Sequence, residues 1–280
     1  MQVGQPSLTA MAVARARAQH QTADDPQVFT DPLAERLVGE ALMGESRFDI
    51  DLDAEMIRRR RLLIAARSRF ADDVASAAIG RGVAQVVILG AGLDTTAYRR
   101  NGENARFFEV DHPDTQVWKR HRLTEAGIDI PPSLTFAPVD FEQSTLASGL
   151  AEAGFDHTRP AVYLWLGVVM YLTEPSIDET LRYIAAQGGG AEVVFDYIYP
   201  VDTADAAGIE QLRARAERVA SVGEPWISFF TVEQITAKLT SFGFTRVEDR
   251  TTVSTLASYG ASIPELAPGT VTHMMHATTV

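Results

Sequence analysis

The chain has 280 residues, 46% of them hydrophobic and 22% charged, which suits one large α/β domain with a core of ordinary size. A net charge of −12 opposes a phosphate backbone and argues against nucleic acid as a partner. With no cysteine the chain can form no disulfide and no thiolate metal site, and its longest apolar stretch, residues 161–172, is too short to span a bilayer, so we expect a cytoplasmic protein that neither binds metal nor enters a membrane.

Three helices are expected before the first strand. Residues 8–22 are free of acids and breakers, and Arg15 and Arg17 there fit an amphipathic helix better than a transit peptide. "TDPLAERLVG" (30–39) has Thr30 or Asp31 to cap a second helix, Pro32 in its first turn and Gly39 to stop it. Residues 53–79 read as a long third helix, on which the run Arg58 to Arg61 fits a solvated face or an inter-helix clamp. From residue 84 short β-rich runs at 85–89, 105–110, 134–139, 161–166 and 192–198 alternate with segments that can be helical, the pattern of a parallel sheet covered on both faces. The helix over 174–187 is marked by Thr173, Pro175 and three terminal glycines. Helices are expected at 205–221 and after "VGEPWISFFTVEQ". Two late strands at 242–253 and 271–280 suit an antiparallel addition to the sheet. The division is residues 1–80 as a helical cap and 81–280 as the core, with an insertion near 200–230.

"QVVILGAGLD" (85–94) drives a buried strand into Gly90-Ala91-Gly92, so a ligand can approach the backbone at the strand end. Two ligands fit. A dinucleotide would want a third glycine at position 95, where Thr95 stands, so a nicotinamide oxidoreductase is disfavoured. S-adenosylmethionine needs no third glycine, and an acid at the end of the second strand would grip its ribose. Glu109 and Asp111 of "ARFFEVDHP" share a face, with Asp111 nearer the edge and His112-Pro113 breaking the strand. Asp140 ends the third strand in "FAPVDFE", placed to meet the adenine. Asp94 reads as a helix N-cap rather than a ligand.

"ILGAGLDTTAYR", "FEVDHP" with Lys119 after it, "PVDFE" and "GVVMYL" together resemble, in order and spacing, the leucine carboxyl methyltransferase family. "DPLAERL" and "AARSRFADD" are similar to motifs of its bacterial members, often described as polyketide O-methyltransferases. The resemblance covers residues from about 28 to about 200. It implies a Rossmann-like class I methyltransferase fold, with a mostly parallel seven-stranded sheet, and S-adenosyl-L-methionine as cofactor. It further implies cofactor contacts from Arg67 (rather than Arg69), Gly90, Ala91, Gly92, Asp111, His112, Asp140, Phe141 and position Leu166. The sequence departs from the family at one of these positions. Most members end the fourth strand in Glu-Gly, whereas here Leu166 precedes Gly167, which removes a charge-assisted contact of about 1.5–3 kcal/mol.

Methyl transfer to a carboxylate needs no base, whereas a hydroxyl acceptor needs one. None of the six histidines stands in a catalytic setting, so no catalytic residue is assigned. Tyr171, Tyr197, Tyr199 and Trp226 are the candidate acceptor contacts, with the helices at 8–22 and 31–42 closing over the ligand; Phe29 and Phe48 read as packing. The function expected is O-methylation of a small, polyketide-like carboxylate or hydroxyl by a protein that can be a homo-oligomer. A relative that binds the cofactor without transferring methyl is the alternative that Leu166 raises.

Overall fold

A computed structural model describes residues 7–40, 43, 48–50, 52–140, 144–200, 206–263 and 272–280. Seven strands form one sheet: β1 (Gln85–Leu89), β2 (Arg106–Asp111), β3 (Leu134–Pro138), β4 (Ala161–Trp165), β5 (Ala191–Ile198), β6 (Arg246–Thr251) and β7 (Thr272–Thr278). Their order is β3-β2-β1-β4-β5-β7-β6. The first five strands pair in parallel, and β7 runs antiparallel between β5 and β6. β1, β4 and β5 are buried along their whole length and are mostly apolar, although β1 opens on Gln85 and β5 carries Glu192 and Asp196. β6 alternates and stays half exposed, as an edge strand can.

Ten α-helices are described: α1 (Leu8–Ala23), α2 (Ala34–Val38), α3 (Ala54–Gly80), α4 (Thr96–Arg99), α5 (Pro113–Glu125), α6 (Leu146–Glu152), α7 (Glu174–Ala185), α8 (Ala206–Ala220), α9 (Val232–Phe242) and α10 (Thr252–Ser258). α7 and α9 cover one face, packing Ile177, Leu181, Ile184, Ile235 and Leu239 on Tyr163, Trp165 and Phe195. α1, α2 and α3 cover the other, where Ala14, Leu37, Phe70 and Val74 meet Val86, Ile88 and Leu164. The expected helix boundaries hold where caps are strong. Asp53 accepts from Met56 N at 2.8 Å, and Thr231 and Gln234 form a capping box.

Two expectations fail for local reasons. Asp31 does not cap a helix over 30–39. Its carboxylate takes Leu33 N at 3.2 Å and the Thr95 hydroxyl at 2.7 Å, leaving Pro32 in a turn and α2 starting at Ala34. The late strand expected over 242–253 is also shorter. The Thr251 hydroxyl accepts from Ser254 N at 2.9 Å and starts α10, so a β-prone Thr-Thr-Val run becomes a helix by capping.

β1 is the strand at which the sheet order reverses, with β2 on one side and β4 on the other. A crevice opens at the carboxyl ends of strands at such a point, and it holds the cavity described next.

Candidate functional site

A cavity of about 900 Å³ begins at the ends of β1, β2, β4 and β5 and runs outward between α1, α3 and α8. That volume lies near the top of the range of about 300–1,000 Å³ for small-molecule sites, and so can admit a cofactor and an acceptor together. Its inner wall is the glycine turn. Gly90 has φ +62°, and a Cβ there would stand 2.4 Å from Val168 Cγ2; a Cβ on Gly92 would approach Ala10 of α1 to 3.2 Å. Val168 and Ala10 already occupy the space that side chains at these positions would need, so the turn must be glycine for them to pack there.

Asp111 is fixed at the same wall. Its Oδ2 accepts from Gly92 N at 2.6 Å and its Oδ1 from His112 N at 2.7 Å. Burial pushes its carboxyl up from the ordinary range, opposed by those two N–H groups, Lys119 and Thr115. Glu109 shares the strand face but lies beneath the cavity, fully buried, with Lys119 Nζ donating to its Oε2 at 2.7 Å and to Asp94 O at 2.8 Å. The lysine thereby ties the second strand to the turn after the first.

Asp94 takes Thr96 N at 2.7 Å, a capping bond, although the residue at the cap position is Thr95. It also lines the cavity. Burial alone would raise its pKa, but Arg17, Lys119 and the Thr96 N–H together hold the carboxyl below its ordinary value. Arg17 of α1, itself buried, donates to Leu93 O at 2.6 Å, so α1 is clamped onto the turn. α1 and its N-cap Ser7 line the cavity, the helix through Thr9, Ala10 and Val13; α2 does not reach it among the described residues and packs on α1. Of the two helices expected to close over the ligand, only α1 lines the cavity among the described residues.

The opposite inner wall carries a carboxylate. Arg67 Nη1 donates to Asp196 Oδ2 at 2.7 Å, and Gly167 N donates to Asp196 Oδ1 at 2.5 Å; Asp196 is fully buried. Leu164 pairs with Val194 and Trp165 with Phe195. Extending that register by one step sets Leu166 beside Asp196, on the same face of the sheet. A carboxylate thus stands one strand spacing, about 4.8 Å, from the position where Leu166 lacks one. Leu166 itself packs against the apolar cluster beneath α3 and lines the cavity. Arg67 Nε is buried without a hydrogen-bond partner among the described residues, so the guanidinium keeps unused donor capacity. Arg69 is exposed and paired with Asp73 at 2.8 Å, off the cavity.

The outer wall is built by a pairing across loops. Ile227 N and Ser228 N donate to Met170 O at 2.8 and 3.3 Å, which brings Trp226 against the turn carrying Tyr171. Burial pushes the Tyr171 hydroxyl up, so at neutral pH it is a donor and not a base. Glu224 accepts from Ser7 Oγ at 3.1 Å and from the Thr9 hydroxyl.

The structure thus brings together Arg67, Gly90, Ala91, Gly92, Asp111, Leu166, Tyr171 and Trp226 on one cavity. Four expected contacts do not reach its wall. His112 caps α5, its Nδ1 accepting from Asp114 N at 3.2 Å. Tyr197 points to the other face of β5, because side chains alternate, and donates to Asp249 Oδ1 at 2.7 Å. Tyr199 stacks on His273 with ring centroids 5.1 Å apart. Asp140 lies two residues past the end of β3 and is not part of the wall, and Phe141 lies outside the described residues.

Asp196 escaped the sequence reading, although the alternation of "VVFDYIYP" places it and Ile198 opposite Tyr197. So did Arg59 and Arg60, which line the cavity. Their neighbours do form a clamp: Arg61 donates to both oxygens of Asp24 at 3.0 and 2.8 Å, with Arg58 at 4.0 Å. Phe48, expected to be packing only, packs with Ala12 and Val219 and also lines the wall.

The chain matches the family model described as leucine carboxyl methyltransferase over residues 10–185. It is similar to YktD of Bacillus subtilis, a candidate S-adenosyl-L-methionine-dependent methyltransferase, with 32% identity over 267 residues, 87% of this chain and 88% of that protein. A candidate S-adenosyl-L-methionine-dependent methyltransferase of Streptomyces coelicolor is 36% identical over 185 residues, 64% of each chain. Among solved structures, a candidate methyltransferase from Thermobifida fusca superposes with a TM-score of 0.60 at 16% identity, covering 99% of this chain and 96% of that one. Magnesium protoporphyrin IX methyltransferase from Synechocystis, with bound SAH, gives 0.51 at 11% identity, covering 88% and 92%. At these identities the two structures establish the class I methyltransferase-like fold and nothing finer.

Proposed function

This chain belongs to the leucine carboxyl methyltransferase family and is an S-adenosyl-L-methionine-dependent methyltransferase, and from that premise we propose that it methylates an oxygen of a small molecule, a carboxylate in preference to a hydroxyl. One observation carries the preference. The described cavity wall contains no histidine, its tyrosine is held protonated, and its outer carboxylate, Glu224, is tied to two hydroxyls. A carboxylate acceptor is already ionised at neutral pH and needs none of them. Phe48, Leu52, Met56, Leu63, Met170 and Trp226 form an apolar wall suited to the body of a polyketide-like organic acid.

The cofactor supplies a sulfonium methyl group, an electrophile that needs no further activation. The residues present fit it. The glycine turn presents bare backbone to the cavity, Asp111 holds its oxygens at the wall with lone pairs left for ribose hydroxyls, and Arg67 has donors to spare for a carboxylate. In our reading Asp196 does two jobs. It orients Arg67, and it supplies the negative charge for an ammonium group that a glutamate at position 166 would otherwise supply. What remains for the protein is alignment and exclusion of water, which α1 and the Tyr171–Trp226 wall provide. Asp196 beside Leu166 also supports retained methyl transfer over a relative that only binds cofactor.

Calorimetry with S-adenosylhomocysteine should show binding to the wild-type protein, weakened at least about tenfold in Asp111→Ala. With labelled cofactor and a panel of aliphatic and aromatic acids, label should enter product and be released as methanol by alkali, since methyl esters hydrolyse and methyl ethers do not. Alkali-stable label would refute the carboxylate preference.

A further inference from the structure

The outer half of the cavity reverses the charge of the chain. The net charge is −12, yet Arg59 and Arg60 of α3 and Arg215 and Arg218 of α8 line the wall around Tyr171 and Trp226. Arg215 and Arg218 are three residues apart and so share one helix face. Arg215 lies over the Trp226 ring, its guanidinium carbon 5.4 Å from the centroid. Arg60 is held in place by Phe48 O at 3.0 Å and by Asp49 at 2.6 Å.

The four groups repel one another. Desolvation, then Arg59, Arg218 and Arg60, lowers the Arg215 guanidinium, although the residue is exposed at the cavity mouth. Desolvation also lowers Arg60, against Asp49 and with Arg15, Arg218 and Arg61 adding to it; Arg59 is lowered by desolvation against Glu55. The carboxylates on the cavity's described wall are Asp94, Asp111 and Asp196, at strand ends, and Glu224, already bound to Ser7 and Thr9. Arg60 keeps Asp49 as a partner, and the positive field that the four groups share makes the outer cavity a favourable place for an anion. Guanidinium groups match carboxylate and phosphate geometry, and the Trp226 and Phe48 rings beside them suit an organic body.

We propose that Arg59, Arg60, Arg215 and Arg218 form an anion-docking site for the methyl acceptor, so that the acceptor is a small organic anion whose carboxylate or phosphate group is gripped between α3 and α8. This deepens the methyltransferase reading and rests on it, because it takes the outer half of the cavity as the acceptor's half. Tyr171 lies in the fields of both Arg67 and Arg215 and stands where the two halves meet. A group gripped by several guanidinium ions is a poor nucleophile, so the docked charge is an anchor and the methylated oxygen is a second group of the same molecule.

Benzoate, phenyl phosphate and benzamide titrated calorimetrically into the protein saturated with S-adenosylhomocysteine, at constant ionic strength, test this. At least one anion should bind about tenfold or more tighter than benzamide, with the stronger anion naming the docked group. Arg215→Gln/Arg218→Gln on α8, and separately Arg59→Gln on α3, should each lower that affinity about tenfold while S-adenosylhomocysteine affinity stays within about twofold. Benzamide binding as tightly as the anions, no anion binding, or variants keeping wild-type anion affinity would overturn the proposal. Anion binding without S-adenosylhomocysteine binding would leave the arginine site standing and remove the cofactor reading instead.

Discussion

Asp196→Asn isolates the charge that the reading places beside Leu166. The substitution keeps size and shape but replaces one carboxylate oxygen with an amide NH₂. Wild-type Asp196 accepts from Arg67 at 2.7 Å and from Gly167 N at 2.5 Å, so in the variant one of these donors must face another donor. A hydrogen bond to a charged group is worth about 1.5–3 kcal/mol, and breaking a fully buried pair about 3–5 kcal/mol. The Arg67 side chain is 12% exposed and lines the cavity, so water can reach it and the lower range applies. About 2 kcal/mol corresponds to a fall of roughly 4–8 °C in Tm for a chain of this size. Cofactor affinity should fall further than stability alone predicts, about ten- to a hundredfold, because both the oriented guanidinium and the partner for the ammonium are lost. Thermal melting with and without S-adenosylhomocysteine, together with calorimetry, measures both effects. Adding Leu166→Glu to Asp196→Asn restores a carboxylate one strand away and should recover part of the affinity. Wild-type affinity in Asp196→Asn would refute the argument, whatever happened to Tm.

Gly90→Ala should abolish detectable cofactor binding and lower stability by about 1–3 kcal/mol, because φ +62° and a contact of 2.4 Å with Val168 leave no room for Cβ; melting and calorimetry on the same sample decide it. Glu109 carries a pH signature. Burial raises its pKa from 4.5 to about 7, outweighing Lys119, so across that window the native chain keeps a proton that the unfolded chain has released. Stability from this group is therefore full below pH about 4.5 and is lost as pH rises to about 7. The difference in Tm between wild type and Glu109→Gln should shift against the wild type over that range, and a constant difference would show that Glu109 does not titrate there.

The part of the site legible in the sequence is the part built from consecutive residues. Gly90 to Gly92 follow β1 directly, and Asp111 ends β2 at a position that strand alternation and the His112-Pro113 break announce. Arg67 lies at the matching place in a long helix. The fold was legible for the same reason, since β1, β4 and β5 are mostly apolar runs separated by segments that include well-capped helices. Where two local signals competed, as at Asp31 and Thr251, propensity misplaced the boundary because a side-chain hydrogen bond decided it.

What the sequence by itself determined, then, is a strand–turn–acid arrangement on the cavity wall, since those residues are close in the chain and their directions follow from backbone period. What only the tertiary structure decided is how the remaining walls are charged. Asp196 became the neighbour of Leu166 through the parallel register of β5 on β4, and Arg67 met it across 129 residues of chain. Arg59 and Arg60 looked like part of a solvated basic run until α8 brought Arg215 and Arg218 opposite them. Chain spacing carries no information about such pairings, because they are set by which strand is hydrogen-bonded to which and by which helix faces which. Those contacts are fixed by burial of the whole sheet rather than by any local motif.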